Sequence, residues 1–107
     1  MDFTGIWHIY EMGLWDEDYF NMEVQAYIEI KQNNLGNFQF GLVSGQMDGK
    51  VVDYGVKKRF EFTWEGDDEG EPMCGSGWLE VTEKDKLKGE FRIHLGDDSG
   101  FLAKKVN

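Results

Sequence analysis

Residue types that commit a chain to a particular class of protein are scarce in this sequence of 107 residues. The single cysteine, Cys74, excludes an internal disulfide and favours a reducing compartment. The two histidines, His8 and His94, belong to no Cys/His cluster with metal-ligand spacing, so the sequence does not predict a zinc site. The only proline, Pro72, leaves the other segments free to form uninterrupted strands.

Basic charge and long apolar runs are also in short supply. Against 21 acidic residues stand 11 basic ones, and the net charge of -10 repels phosphate backbones and anionic lipid headgroups. No stretch approaches the roughly 20 apolar residues of a membrane span, and the N-terminal segment lacks the basic and apolar regions of a secretory signal. We therefore expect a cytoplasmic protein with neither nucleic acid nor membrane as a partner. The sequence leaves its oligomeric state open.

The composition is that of one small globular domain. Hydrophobic residues make up 40% of the chain and aromatic residues 15%, which separates it from disordered sequences. A domain of this length buries roughly two-thirds of the surface that its unfolded chain exposes, which is enough for one core. No boundary, internal repeat or low-complexity linker divides the chain, so we expect a single domain over residues 1–107.

Alternation of apolar and polar residues with a period of two predicts eight β-strands. The clearest run is 22–31, and its apolar face consists of Met22, Val24, Ala26, Ile28 and Ile30. Two aromatic-rich runs lie near 37–47 and 58–65. Weaker runs lie near 4–12, 51–56, 76–82, 87–95 and 100–106. The only helical candidate is a single turn around residues 15–20.

The segments between these runs have the residues of turns. Asn33-Asn34-Leu35-Gly36 and Asp48-Gly49 supply the positive φ that tight hairpins require, and residues 66–77, 83–86 and 96–100 form the remaining connections. Short strands joined by hairpin-length loops predict an all-β fold: one small antiparallel up-and-down barrel of about eight strands with little helix. Closure is favoured because it removes both sheet edges, and an open sandwich is the alternative.

The inward-facing residues of this barrel are mostly large rings. An eight-stranded barrel is just wide enough to be filled by side chains or to hold one small ligand, and this number of rings favours filling. A modest apolar pocket lined by Trp15, Tyr19 and Trp64 is the alternative. The predicted inward set is Trp7, Ile9, Phe38, Phe40, Leu42, Tyr54, Phe60, Phe62, Trp64, Leu79, Phe91, Ile93 and Phe101.

Two resemblances are visible. Gly5-Ile6-Trp7 in the first predicted strand resembles the Gly-x-Trp signature of lipocalin-type barrels, which implies that Trp7 plugs the closed end and that Lys104 or Lys105 packs across it. Most of the chain also resembles a group of small, functionally unassigned bacterial proteins, through segments 15–20, 38–48, 62–69 and 94–99. The second resemblance implies no activity.

Acidic residues concentrate in alternate connections. In an up-and-down barrel the first, third, fifth and seventh connections emerge at one end, and their only basic residue is Lys50. We expect an electrically polar barrel, with the opposite end balanced or mildly basic. The predicted acidic rim consists of Asp16, Glu17, Asp18, Asp48, Glu65, Asp67, Asp68, Glu69, Glu71, Asp97 and Asp98.

This rim gives the sequence its functional hypothesis, a small acidic binding or interaction protein rather than an enzyme. Its ligand would be a cation, a cationic small molecule or a basic peptide. The candidate ligand-binding residues are Trp15, Asp16, Asp18, Tyr19, Trp64, Asp67, Asp68, Asp97 and Asp98.

Two alternatives remain beside that hypothesis. The rim could serve only as a solvated, solubilising face, or paired carboxylates could catalyse hydrolysis. No twelve-residue calcium loop is present, because Tyr19 and Phe20 follow Asp18 where such a loop needs an oxygen ligand and a glycine. The sequence predicts no catalytic residue and no cofactor, and it leaves a metal site open.

Overall fold

The computed structural model describes residues 3–106, which form a closed antiparallel barrel with one short helix. Strands make up 66% of the structure and helix 4%, which confirms the all-β prediction. No helix in the described part of the chain is long and apolar enough to cross a membrane. In chain order the elements are β1 (Gly5–Met12), α1 (Glu17–Phe20), β2 (Tyr27–Ile30), β3 (Leu35–Phe40), β4 (Val43–Asp53), β5 (Lys58–Asp68), β6 (Glu71–Glu83), β7 (Lys86–Ile93) and β8 (Asp98–Lys105).

Each strand pairs with its neighbours in sequence, and β8 returns to β1. Connections therefore alternate between the two ends of the barrel. Those at 13–26, 41–42, 69–70 and 94–97 lie at one end, which we call the upper end. Those at 31–34, 54–57 and 84–85 lie at the other, the lower end. The predicted up-and-down topology is confirmed.

Large rings and glycines pair across neighbouring strands inside the barrel. A Cβ added at Gly45 would lie 2.8 Å from atoms of Phe38 and Trp64, so each ring occupies space that its neighbour's missing side chain leaves. Each of these glycines leaves room for the ring across from it, which helps so short a chain to hold so many rings. The pairs are Phe38 with Gly45, Trp64 with Gly75, Phe62 with Gly77, and Phe101 with Gly89.

Phe91 lies at the centre of the resulting stack. Its ring centroid is 4.6 Å from that of Phe38, 4.7 Å from Phe101, 5.1 Å from Phe40 and 5.9 Å from Phe62. Aromatic pairs at such separations stabilise a core beyond the area they bury. The barrel interior is therefore filled with side chains, as the ring-rich inward set predicts.

Trp7 closes the lower end. Its side chain is 1% exposed, and its indole N–H donates to the carbonyl of Phe3 over 2.9 Å. The ammonium of Lys105, on the last strand, lies 5.5 Å from the ring centroid. Of the two basic residues that the Gly-x-Trp resemblance proposed for this place, Lys105 is the one that packs across the tryptophan.

The segment around α1 closes the upper end. Asp16 caps the helix, because its carboxylate accepts from the backbone N–H of Tyr19 over 3.2 Å. Phe20 is buried, and its carbonyl accepts from the N–H of Gly41 in the β3–β4 turn over 2.8 Å. Trp15 packs on Phe40 with 5.1 Å between centroids. The predicted single helical turn is confirmed, and it covers the barrel mouth.

One predicted turn was wrong. Asp48-Gly49 lies within β4, and the chain reverses instead at Gly41-Leu42, where Gly41 has φ +57°. A side chain at Gly41 would collide with the ring of Tyr19, so only glycine fits under the helix. The turn switches which residues face inward: Val43 and Met47 are buried, whereas Leu42 is only half-buried. The number of strands stays at eight because the observed turn at Gly41-Leu42 replaces the predicted turn at Asp48-Gly49.

Three other assignments need correction. Residues 66–77 are not a long loop but the tip of the β5–β6 hairpin, which turns at Glu69-Gly70 with both residues at positive φ. Met22 and Val24 are exposed, because β2 begins only at Tyr27. Tyr54, predicted to face inward, is exposed beside Glu61.

Candidate functional site

The upper end of the barrel carries nearly all its charge as carboxylate. Among the described residues in its four connections, and in the two residues on either side of each, Arg92 is the only lysine or arginine and His94 the only histidine. The carboxylates in these four connections and their flanking residues are Glu11, Asp16, Glu17, Asp18, Glu23, Asp67, Asp68, Glu69, Glu71, Asp97 and Asp98. Like charges crowded at one end produce a negative potential that attracts cations.

The lower end has the opposite balance. β8 also ends there, with Lys104 and Lys105. Its three connections, with the two residues on either side of each, contain four acids and six bases. The acids are Glu29, Asp53, Glu83 and Asp85, and the bases are Lys31, Lys57, Lys58, Arg59, Lys84 and Lys86. The barrel therefore carries opposite charge at its two ends.

Three residues that sequence reasoning placed on the acidic rim lie elsewhere. Glu65 is in β5, opposite Gln46. The other two are Asp48 and Lys50. Both are in the middle of β4, where Asp48 pairs with Leu35 and Thr63. Their assignment followed from the incorrect turn at residues 48–49. Without them the upper end loses its one predicted lysine.

The three aromatic residues of the candidate site take part in packing. Trp15 contacts Tyr19 at 5.9 Å and Phe40 at 5.1 Å between ring centroids. Trp64 is buried, lies edge-on to Phe38 at 5.1 Å, and donates its indole N–H to the carbonyl of Arg92 over 3.3 Å. Trp15 and Tyr19 stay partly exposed. They therefore present an aromatic surface at the upper end, while Trp64 lies below it in the filled interior.

The aspartates of the candidate site fall into three groups. Asp16 and Asp67 hold turns, because their carboxylates accept from the backbone N–H groups of Tyr19 and Gly70. Asp98 forms a loose ion pair with Arg92, with 3.9 Å between Oδ1 and Nε. The other three project from the same upper-end connections and strand termini, and they are Asp18, Asp68 and Asp97.

No three histidine, cysteine, aspartate or glutamate side chains within residues 3–106 are grouped as a metal site requires. The carboxylates of the upper end surround a mouth covered by Trp15 and α1. A hydrolase that uses two carboxylates needs them on either side of a substrate cleft. The covered mouth favours the interaction hypothesis over the hydrolase hypothesis at this end.

A charged cluster near the lower end was not anticipated from the sequence. The Glu80 side chain is 7% exposed and accepts from Nε of Arg59 over 2.5 Å, with the ammonium of Lys57 at 3.4 Å and that of Lys88 at 4.0 Å. The Arg59 guanidinium lies over the ring of Trp78, 3.9 Å from its centroid. The outward position of Glu80 in an alternating strand predicts exposure, and its three cations explain its burial.

These contacts shift the ionisation of the cluster. Burial alone would raise the pKa of Glu80, but the hydrogen bond from Arg59 and the charges of Arg59 and Lys57 outweigh it, so the pKa lies below its usual value. The hydrogen bond to Glu80 likewise raises the pKa of Arg59. The hydrogen bond that Tyr54 donates to Glu61 raises the pKa of the tyrosine. Glu80 and Arg59 are therefore held in their charged forms.

An open groove lies on the outer face of the barrel. It has a volume of about 1100 Å³, and Asp48, Thr63 and Ser76 on β4, β5 and β6 lie along it. A smaller depression of about 480 Å³ shares those three residues and extends to Trp78. We call the two together the outer groove. Sequence reasoning missed the groove because residues 48–49 were assigned to a turn and residues 66–77 to a loop. In the structure Asp48 lies in β4 and Ser76 in β6, and the groove is formed by these strands.

Comparisons with protein-family models, with curated proteins and with solved structures find no match to this chain.

Proposed function

We propose that this protein is a non-catalytic interaction protein whose upper end binds a cationic partner, such as an arginine- or lysine-bearing peptide. The observation that carries the proposal is the carboxylate-rich upper end, where Arg92 is the only lysine or arginine among the described residues. Such a field steers a basic partner toward that end and raises its association rate. The binding residues of the proposal are Trp15, Asp16, Asp18, Tyr19, Asp67, Asp68, Asp97 and Asp98, with Trp64 supporting them from below.

The aromatic surface beside the acids supports a guanidinium ligand in particular. Trp15 and Tyr19 are partly exposed and lie next to Glu17 and Asp18 on the same segment. An arginine side chain stacks on an aromatic face while its fork of N–H groups donates to a carboxylate. The chain already shows this combination at its lower end, where Arg59 stacks on Trp78 and bonds to Glu80.

The closed lower end supports a further part of the proposal, a likeness to lipocalin-type barrels. Trp7 follows Gly5 in β1, is buried, and has Lys105 of the last strand across its ring. These are the positions that the Gly-x-Trp resemblance implies. Unlike a barrel that holds a ligand inside, this barrel has a filled interior, so we place binding on its outside.

Titration of a hexa-arginine peptide by calorimetry tests the proposed function. The test variant neutralises two exposed upper-end acids that make no ion pair among the described residues, Asp18→Asn with Glu69→Gln. We expect it to weaken binding about 2- to 30-fold, since each of the two exposed charge pairs contributes about 0.2 to 1 kcal/mol. Raising the salt concentration should weaken wild-type binding as well.

The matched control neutralises one glutamate and one aspartate at the lower end, Glu83→Gln with Asp85→Asn. The molecule is 37 Å along its longest axis, several times the screening length of about 8 Å at physiological salt. The control should therefore bind the peptide like the wild type. Equal weakening by both variants would show that only net charge matters, and the proposed site would be wrong.

A further inference from the structure

The outer groove is crossed by one row of paired residues. In register across four neighbouring strands lie Asp48, Thr63, Ser76 and Arg92. Adjacent strands are about 4.8 Å apart, so about 14 Å separates the backbone positions of the first and last residues of the row. All four side chains line the groove. The groove therefore has a carboxylate at one side, a guanidinium at the other, and two hydroxyls between them.

The carboxylate side of the groove is reinforced by a second acid. Glu65 lies on β5, opposite Gln46 of β4, and both are exposed in the groove. Asp48 and Glu65 are thus diagonal neighbours on adjacent strands, about 7 to 8 Å apart at the backbone and within joint reach of one small cationic group. Gln46 adds an amide beside them. Lys31 also lines the groove, but the carboxylates of Asp48 and Glu65 outnumber its single positive charge, so this side of the groove suits an ammonium group.

The guanidinium side carries a strained apolar residue. Leu95 is held at φ +59° and is 95% exposed, in a turn closed by the hydrogen bond from Gly96 N–H to the carbonyl of Ile93. A left-handed backbone is unfavourable for a branched side chain, and an exposed leucine contributes no burial in return. Strain that folding does not explain points to a functional role. Leu95 lines the groove three residues from Arg92.

We propose that the outer groove binds a short peptide with free termini and an apolar last residue. Its carboxylate contacts Arg92, its last side chain packs on Leu95, and its ammonium lies between Asp48 and Glu65. An extended chain of three residues spans about 10 Å, which fits between charges whose backbones are about 14 Å apart.

The middle of the groove suits a peptide backbone. Thr63 and Ser76 have hydroxyls that both donate and accept, as the N–H and C=O groups of a peptide require. Arg92 is available to the carboxylate, because its ion pair with Asp98 has a separation of 3.9 Å and both side chains are more than half exposed. Such surface pairs contribute little and exchange readily.

The probe is the tripeptide Ala-Ala-Leu, titrated into the isotope-labelled protein and followed by amide chemical shifts. We expect binding in the millimolar range, about −4 kcal/mol, with shifts concentrated at Thr63, Ser76 and residues 92–96. Acetylation of the ammonium, or amidation of the carboxylate, should each weaken binding at least about 10-fold, because a hydrogen bond to a charged group contributes about 1.5 to 3 kcal/mol. Equal binding of the blocked peptides, shifts elsewhere, or no shifts at about 10 mM peptide would overturn the proposal.

Two variants separate binding from folding. Leu95→Asn should raise the melting temperature, because asparagine tolerates the left-handed backbone better than leucine, and should weaken tripeptide binding. Arg92→Gln should remove the difference between the free and the amidated peptide, whereas Lys104→Gln at the lower end should leave it unchanged. Wild-type affinity in Leu95→Asn, or a persistent carboxylate preference in Arg92→Gln, would contradict the assignment of these residues.

Discussion

The two ends of the barrel are built alike in packing and differently in charge. A tryptophan covers each end: Trp7 under the lower end and Trp15 over the upper end. Near the lower end a carboxylate gathers the cations around it, as Glu80 does with Arg59. At the upper end, aspartates such as Asp16 and Asp67 accept from backbone N–H groups, and the described acids there share one arginine.

This difference separates charges that stabilise the fold from charges that are available to a partner. When several opposite charges lie close to a charged group, they cancel most of its electric field, so the group attracts little from solvent or from a partner. Carboxylates bonded only to backbone N–H groups keep their negative charge and project a field into solvent. We therefore propose binding at the upper end, and we expect charge to contribute to stability at the lower end.

The largest expected effect compares the two tryptophans. Trp7→Ala should lower the free energy of unfolding by roughly 3 to 5 kcal/mol, the range for large aromatic residues truncated in a core. Trp15→Ala should lower it by only about 1 to 2 kcal/mol, because Trp15 is half-exposed and packs from outside on Phe40. Urea denaturation of both variants measures the two losses. Equal losses would show that the two closures are energetically alike.

Removing the charge of Glu80 should have the next largest effect. Glu80→Gln should lower the free energy of unfolding by about 1 to 3 kcal/mol at pH 7, since it weakens charge-assisted hydrogen bonds and leaves three cations crowded together. The folded-state pKa of Glu80 is lowered, so its stabilisation is present above the unfolded pKa of about 4.3 and is lost as the pH falls through the folded value. The difference between wild type and variant should therefore shrink at acid pH. A difference that is constant from neutral to acid pH would contradict the role of the ionised carboxylate.

Loss of the helix cap should have a smaller effect at the upper end. Asp16→Ala should lower the free energy of unfolding by about 1 kcal/mol, because the N–H of Tyr19 loses its acceptor. Asp16→Asn, which keeps an acceptor oxygen and removes the charge, should be close to wild type. Thermal melts of the two variants distinguish them. If both lose the same stability, the charge of Asp16 and not its hydrogen bond supports the helix.

The smallest effect concerns upper-end charges that make no ion pair among the described residues. Asp18→Asn with Glu69→Gln should change the free energy of unfolding by less than about 0.5 kcal/mol and toward greater stability, because it removes like charges from exposed positions. Chemical denaturation at low salt, where repulsion is least screened, gives the cleanest reading. A clear destabilisation would mean that these acids serve the fold.

Local sequence signals predicted the fold better than the site. Alternation located the buried faces of most strands, and the number of strands and the barrel closure were correct. The turn at Gly41-Leu42 could not be found, because its geometry is imposed by Tyr19, which packs on Gly41 from a distant segment. Asp48-Gly49 has the residues of a hairpin turn, yet it continues β4 because Gly49 faces the ring of Phe60 inside the barrel. Tertiary packing overrode turn chemistry at both places.

The charged features were predictable only where topology alone determines them. Acids in alternate connections share an end in any up-and-down barrel, so most of the acidic rim could be derived from strand order. The Glu80 cluster and the outer groove depend on register between strands, which brings Arg59 beside Glu80 and aligns Asp48 with Arg92. A shift of one residue would turn every side chain to the other face, and no local pattern specifies such a register across four strands.

The most direct test of the account is where a basic peptide binds. Hexa-arginine titrated into the isotope-labelled protein should shift amides in residues 13–23, 67–71 and 94–98, and it should leave residues 54–59 and 83–86 unchanged. The shifts should decrease as salt is added, because the attraction is between exposed charges. Shifts spread evenly over both ends, or shifts confined to the lower end, would contradict the claim that the upper end is the binding surface.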